Sequence, residues 1–65
     1  MDERAKFKAA YESMVKARRA HEAWWKAILA GEEATDRAEG LRLAQDVHEK
    51  TQAFTAASKP FIYPR

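Results

Sequence analysis

The chain has 65 residues, which is enough for one small domain. It has no cysteine, so disulfides and thiolate metal sites are excluded, and two glycines and two prolines are too few for a turn-rich β fold. Twelve basic and ten acidic side chains give a net charge of +2, which demands neither nucleic acid nor an anionic membrane as a partner. The N-terminal Met-Asp-Glu-Arg is unlike a signal peptide, and no apolar run approaches ~18 residues, so we expect a cytoplasmic protein.

The first predicted element is a long helix from about residue 3 to residue 30, a stretch without glycine or proline that follows the candidate N-cap Asp2. Large and small apolar residues recur along it with heptad spacing on two adjacent rows, which is the pattern of a helix packed against another helix. We expect these rows to face the core: Phe7, Ala10, Met14, Ala17, His21, Trp24 and Ile28.

Two adjacent tryptophans, Trp24 and Trp25, distinguish the end of this helix. Their side chains point about 100° apart, so they cannot both face one core. Trp24 continues the core rows, whereas Trp25 shares a neighbouring edge with Tyr11 and Arg18 at intervals of seven residues. Helix 1 is therefore expected to need two packing neighbours.

The turn is predicted at about 31–34 and begins with Gly31, because glycine accepts the left-handed conformation that often follows a helix. Helix 2 is predicted over about 35–58, with Thr35 as a candidate cap, and the acidic residues from Glu32 offer an alternative start. Its apolar stripe supplies three further core candidates, which are Leu41, Val47 and Phe54.

Gly40 and Pro60 are the two residues of helix 2 that indicate a close contact and a helix end. Gly40 lies inside the helix at a cost of roughly 1 kcal/mol relative to alanine, and close contact between helices is one reason for a glycine there. Pro60 is expected to end the helix at about Ser58, because the residue before a proline avoids α geometry. Residues 59–65 are then an extended C-terminal tail.

These elements predict an all-α protein in which residues 1–58 form an antiparallel two-helix hairpin. One hairpin buries a single seam and leaves the rest of the wide apolar face of helix 1 in water. Because most soluble oligomers are two-fold symmetric, we expect two hairpins to dimerise into a four-helix bundle.

His21 and His48 invite a metal site, but neither has a second ligand on the same face at helical spacing. We expect both histidines to be structural, with no metal and no cofactor. Catalysis is also unsupported, because the sequence has no nucleophile with a base and no glycine-rich phosphate loop. The chain is predicted not to be an enzyme.

Protein binding is the predicted function. Aromatic side chains and arginine dominate binding surfaces, so Tyr11, Arg18 and Trp25, with Phe61 and Tyr63 of the tail, are the candidate partner-binding residues. Two other arrangements remain open. The edge of helix 1 could itself be the dimer interface, and the tail could fold back over Phe7 and Tyr11.

The sequence therefore favours a small regulator or inhibitor that docks on a larger protein, and a phage or a mobile element is a candidate source. A first alternative is an RNA- or DNA-binding hairpin dimer, similar in architecture to plasmid copy-number regulators, in which phosphates contact a basic stripe interrupted by acidic residues. A second alternative is a structural or assembly subunit. The residues of the basic stripe are Lys8, Lys16, Arg19 and Lys26.

Overall fold

The computed structural model describes residues 2–32 and 36–62, which form two helices packed side by side in antiparallel directions. Helix α1 spans Glu3–Leu29 and helix α2 spans Arg37–Ile62. The molecule measures 51 × 17 × 14 Å, so it is one pair of helices wide and one helix thick. The all-α hairpin predicted from the sequence is confirmed.

Helix α1 begins and ends with the signals expected from its sequence. The Asp2 side chain accepts a hydrogen bond from the backbone N–H of Arg4 at 3.0 Å. After Leu29 the chain turns through Gly31, whose φ of 86° lies in the left-handed region. The N–H of Glu32 then reaches back to the carbonyl of Ala27 at 3.1 Å, closing the turn that commonly follows a helix with glycine in this position.

Helix α2 is capped by Asp36. Its side chain accepts a hydrogen bond from the N–H of Ala38 at 2.9 Å, and its carbonyl accepts one from the N–H of Gly40 at 3.1 Å. The helix therefore starts at Arg37, two residues after the predicted start at about 35. The predicted cap Thr35 lies outside the described residues.

The end of α2 differs from the prediction. The helix continues through Pro60 to Ile62, so the extended chain expected from residue 59 is wrong for residues 59–62. Proline has no N–H and costs this helix one backbone hydrogen bond, but continued helix brings the Phe61 ring to 5.0 Å from Phe7. This contact offsets part of the proline cost. Tyr63 lies outside the described residues.

The two helices meet along an inner seam, which on α1 consists of Phe7, Ala10, Met14, Ala17, His21 and Trp24. Among the described residues, the buried hydrophobic side chains are Met14, Ala17 and Leu43, while Val47 and Phe54 are half-buried. Two predicted core residues are not in the core, because Ile28 is 44% exposed and Leu41 is 62% exposed.

The error at Leu41 has a physical cause at the turn end of the hairpin. The Trp24 ring lies directly against Gly40, so closely that a Cβ at position 40 would overlap it. The Trp24 indole N–H also donates to the carbonyl of Asp36 at 3.0 Å. This contact turns Gly40 and Leu43 toward α1 and leaves Leu41 on the solvent side. The close helix contact proposed for Gly40 is confirmed.

Aromatic side chains close the opposite end of the seam. Phe7 stacks on Phe54 with 5.2 Å between ring centroids, and the Tyr11 ring lies 5.8 Å from Phe54. Aromatic pairs at such distances contribute about 0.5–1.5 kcal/mol each beyond the area they bury. The hairpin is thus held at both ends by aromatic contacts and in the middle by smaller side chains.

Candidate protein-binding face

Large apolar side chains remain exposed along one edge of α1. Tyr11 is 51% exposed, Trp25 is 38% exposed and Leu29 is 76% exposed. Together these three side chains are bulkier than the three buried hydrophobic side chains of the described core, which are Met14, Ala17 and Leu43. The edge therefore carries three of the four exposed large hydrophobic side chains on the described α1, the fourth being Ile28.

The edge has a regular composition, and we name its six residues the outer stripe. They recur at alternating intervals of four and three residues, which keeps them on one side of a helix. At 100° per residue the centre of the stripe lies about 90° from the centre of the inner seam. Its members are Tyr11, Val15, Arg18, Glu22, Trp25 and Leu29.

The two open sides of the hairpin differ in character. On one side, a groove of about 370 Å³ is lined by small and acidic side chains, which are Ala20, Ala23, Ala27, Glu32, Asp36 and Glu39, together with Trp24 and Leu43. The outer stripe occupies the other side. Leu41 follows Glu39 by two residues, about 200° around α2, so it also projects toward the side of the outer stripe.

The structure brings together three of the five predicted partner-binding residues. Tyr11, Arg18 and Trp25 share the outer stripe, and all three are exposed. Phe61 lies at the end of α2 against Phe7 and is 47% exposed, so it belongs to the aromatic cluster at the chain termini. The predicted site residue Tyr63 lies outside the described residues.

Sequence reasoning missed Val15, Glu22 and Leu29 as members of the same surface. It followed one row of the heptad, at intervals of seven, and overlooked the second row. The interleaved spacing of four and three residues was the available signal, because two rows rather than one form a helix-packing surface.

The predicted nucleic-acid residues lie on α1, and acidic neighbours neutralise part of their charge. The Lys26 ammonium lies 2.9 Å from the Glu22 carboxylate, and Lys8 lies 4.0 Å from Glu12. Both pairs are exposed and join residues one helical turn apart. Lys16 and Arg19 border a shallow depression with Tyr11 and Val15. The basic stripe is thus interrupted, as the sequence indicated.

The two histidines occupy different environments. His21 is half-buried and stacks on Trp24 with 6.1 Å between ring centroids, whereas His48 is exposed on α2. Within residues 2–32 and 36–62, no group of three or more His, Asp or Glu side chains is placed to hold a metal ion. Neither described helix combines the length and the apolar character needed to cross a membrane.

Comparison of the chain with protein-family models, with curated proteins and with solved structures found no match.

Proposed function

We propose that this chain is a protein-binding module, a helical hairpin that regulates or inhibits a larger protein by docking its outer stripe on that protein. The observation that carries the proposal is the exposure of Tyr11, Trp25 and Leu29 on one edge of α1. Contiguous apolar surface of this kind, bordered by charge, is characteristic of interaction sites.

The chemistry of the outer stripe fits a helix docked into a groove. Side chains at intervals of three and four residues are the anchors by which a helix binds an apolar groove on a partner. Tyrosine and tryptophan supply contact area with few rotatable bonds, and Arg18 between them supplies a planar group for a carboxylate. A partner groove with apolar pockets and a central acidic residue would match this order.

Nucleic-acid binding is the weaker candidate. Lys8 and Lys26 are each within ion-pair distance of a glutamate on the same helix, so a phosphate backbone would compete with those carboxylates. An assembly subunit would use the same outer stripe as the module proposed here, but it would form large particles rather than a complex of fixed size.

The test compares four alanine variants against a partner that has been captured from the source cells, identified and purified. Arg18→Ala and Trp25→Ala should each weaken the complex by at least about 1 kcal/mol, the usual threshold for an important interface residue. Arg18→Ala should leave the melting temperature of the single hairpin nearly unchanged, because this side chain is exposed in it. The affinities are measured by titration calorimetry.

Lys8→Ala and Lys26→Ala are the matched controls, since each removes an exposed positive charge from α1 and keeps all six side chains of the outer stripe. They should change affinity for a protein partner little. If these two variants weaken binding more than Trp25→Ala does, and if binding falls steeply with added salt, the nucleic-acid function replaces the one proposed.

A further inference from the structure

The hairpin exposes more surface than a compact protein of its size. Its accessible surface is 5478 Å², whereas a compact monomer of 7.5 kDa is expected to expose about 4,200 Å². The excess of about 1,200 Å² is larger than the ~800 Å² that each partner contributes to a standard protein interface. An interface of ordinary size would therefore bring this chain to the exposure of a typical folded protein.

The outer stripe is complementary to itself when reversed. Read from either end, it has two apolar residues, then a charged pair, then two apolar residues. Reversal about residue 20 places Tyr11 opposite Leu29, Val15 opposite Trp25, and Arg18 opposite Glu22. The apolar pairs fall at both ends and the two pairs of opposite charge fall at the centre.

We propose that a second copy of this chain covers the outer stripe, with the two α1 helices antiparallel and a two-fold axis level with residue 20. In this register Arg18 meets Glu22 of the partner subunit, and the same contact is repeated on the other side of the axis. A polar pair within an otherwise apolar helix interface fixes its register and orientation.

The rest of the hairpin accommodates this arrangement. In a four-helix bundle each helix has two neighbours about 90° apart, and the outer stripe lies at about that angle from the inner seam. Trp24 packs on Gly40 and the two helices are antiparallel. Residue 20, four residues before Trp24, is therefore level with about residue 44 of α2, four residues after Gly40. Ala44 is small enough to let the two α2 helices approach at the axis, with Leu41 beside it.

Charge also bears on the direction of the two α1 helices. Arg4 and Lys8 continue the spacing of the outer stripe toward the N-terminus, and in this register they lie level with the turn of the partner subunit. A parallel arrangement would instead bring basic ends together, so the antiparallel one is favoured.

This inference rests on the proposed function, because it assigns an occupant to the same face. Dimerisation and capture of a larger protein are then mutually exclusive. The dimer is the form in which the free protein protects its binding face, and a target must compete with the second copy. Protein concentration thereby regulates how much free face is available.

Charge reversal tests the register. Arg18→Glu places like charges opposite each other twice in the dimer, as does Glu22→Arg. Each variant should raise the dimer dissociation constant at least about tenfold, as measured by sedimentation equilibrium. Arg19→Glu is the control, because it makes the same charge change on the adjacent, outward-facing residue, and it should leave the constant within about twofold.

Mixing the two weakened variants distinguishes the register from a general loss of structure. A heterodimer of Arg18→Glu with Glu22→Arg restores opposite charges at both central pairs, so the equimolar mixture should dimerise about as well as the original protein. The proposal would be overturned if the original protein were monomeric at a concentration of about 10⁻⁴ M. It would also be overturned by reversals without effect, or by a mixture that stays dissociated.

The outcome is separate from that of the proposed function. Leu41→Glu alters a residue beside the proposed axis and keeps all six residues of the outer stripe, so this variant can be tested for target binding as a monomer. If the protein is monomeric but Trp25→Ala weakens target binding, the second copy is excluded and the binding function stands. If the mixed dimer forms and Trp25→Ala leaves target binding unchanged, the dimer stands and the larger partner binds elsewhere.

Discussion

The Trp24 ring packs directly against Gly40 at the turn end of the hairpin. Alanine is favoured over glycine in a helix interior by about 1 kcal/mol, so helix propensity alone predicts that Gly40→Ala stabilises the protein. The position of the Trp24 ring predicts the reverse, because the added methyl group would displace the ring and its hydrogen bond to Asp36. Overpacking of this kind typically costs about 1–3 kcal/mol.

We therefore expect Gly40→Ala to lower the free energy of unfolding by up to about 2 kcal/mol after the gain in propensity is subtracted. Urea denaturation followed by circular dichroism measures the change. The control is the same substitution with Trp24→Phe, since the smaller ring leaves room for the methyl group and the penalty should shrink. A Gly40→Ala variant more stable than the original would show that the ring moves aside freely.

At the scale of single residues, the sequence predicted that the two tryptophans face different surfaces. It did not predict how α2 is rotated about its own axis against α1. Adjacent helical positions must face different surfaces, so one tryptophan had to leave the core. The choice between Leu41 and Leu43 depends on whether Gly40 belongs to the packing face. An apolar pattern does not count glycine, and only the Trp24 ring makes Gly40 part of the inner seam.

Helix α1 was predicted almost to the residue, and α2 was not, because their boundaries depend on different interactions. Local signals set the ends of α1, with a capping aspartate at one end and Gly31 at the other. The end of α2 depends on a contact distant in sequence, the stacking of Phe61 on Phe7. Proline rules describe the local cost only, so they predicted an end that tertiary packing overrides.

Pro60→Ala is expected to stabilise α2. Alanine restores the backbone hydrogen bond that proline cannot donate and removes the steric conflict of the ring with the preceding turn, an effect of up to about 3 kcal/mol in a helix interior and less this close to the end. We expect the melting temperature to rise by several degrees, as followed by circular dichroism. Phe61→Ala serves as the opposing variant and should lower it.

If Pro60→Ala leaves both the melting temperature and the helix content unchanged, residues 59–62 are not helical in solution. The original prediction of an extended segment would then be correct for this part of the chain.

The whole molecule is too thin to enclose its apolar residues. A chain of this size rarely obtains more than roughly 3–5 kcal/mol from one core, and the described core has three buried hydrophobic residues. The sequence predicted this deficit from the width of the apolar face of α1. It did not predict which side remains open, because that depends on how α2 is rotated against α1.

Leu41→Glu tests whether association stabilises the fold. Leu41 is 62% exposed in the hairpin, so the substitution removes little from the inner seam. We expect it to lower the melting temperature by roughly 5 °C or more at micromolar protein and to abolish the rise in melting temperature with concentration, because a dimer is stabilised by mass action. Differential scanning calorimetry over a hundredfold range of concentration provides the measurement.

Ala38→Glu is the matched control, since it adds the same charge to an exposed position one turn earlier on the outward surface of α2. It should keep the concentration dependence. Equal effects of the two substitutions would assign the loss to charge near the start of α2 rather than to a lost intermolecular contact.

The adjacent Trp24 and Trp25 also provide two intrinsic fluorescence probes. Indole emission shifts toward shorter wavelengths as water is removed, and these two indoles occupy unlike settings, one bonded to Asp36 across the turn and one at the open edge. A Trp25→Phe protein emits only from the turn and reports folding of the hairpin. A Trp24→Phe protein emits only from the open edge, so its emission wavelength reports when water is excluded from that edge.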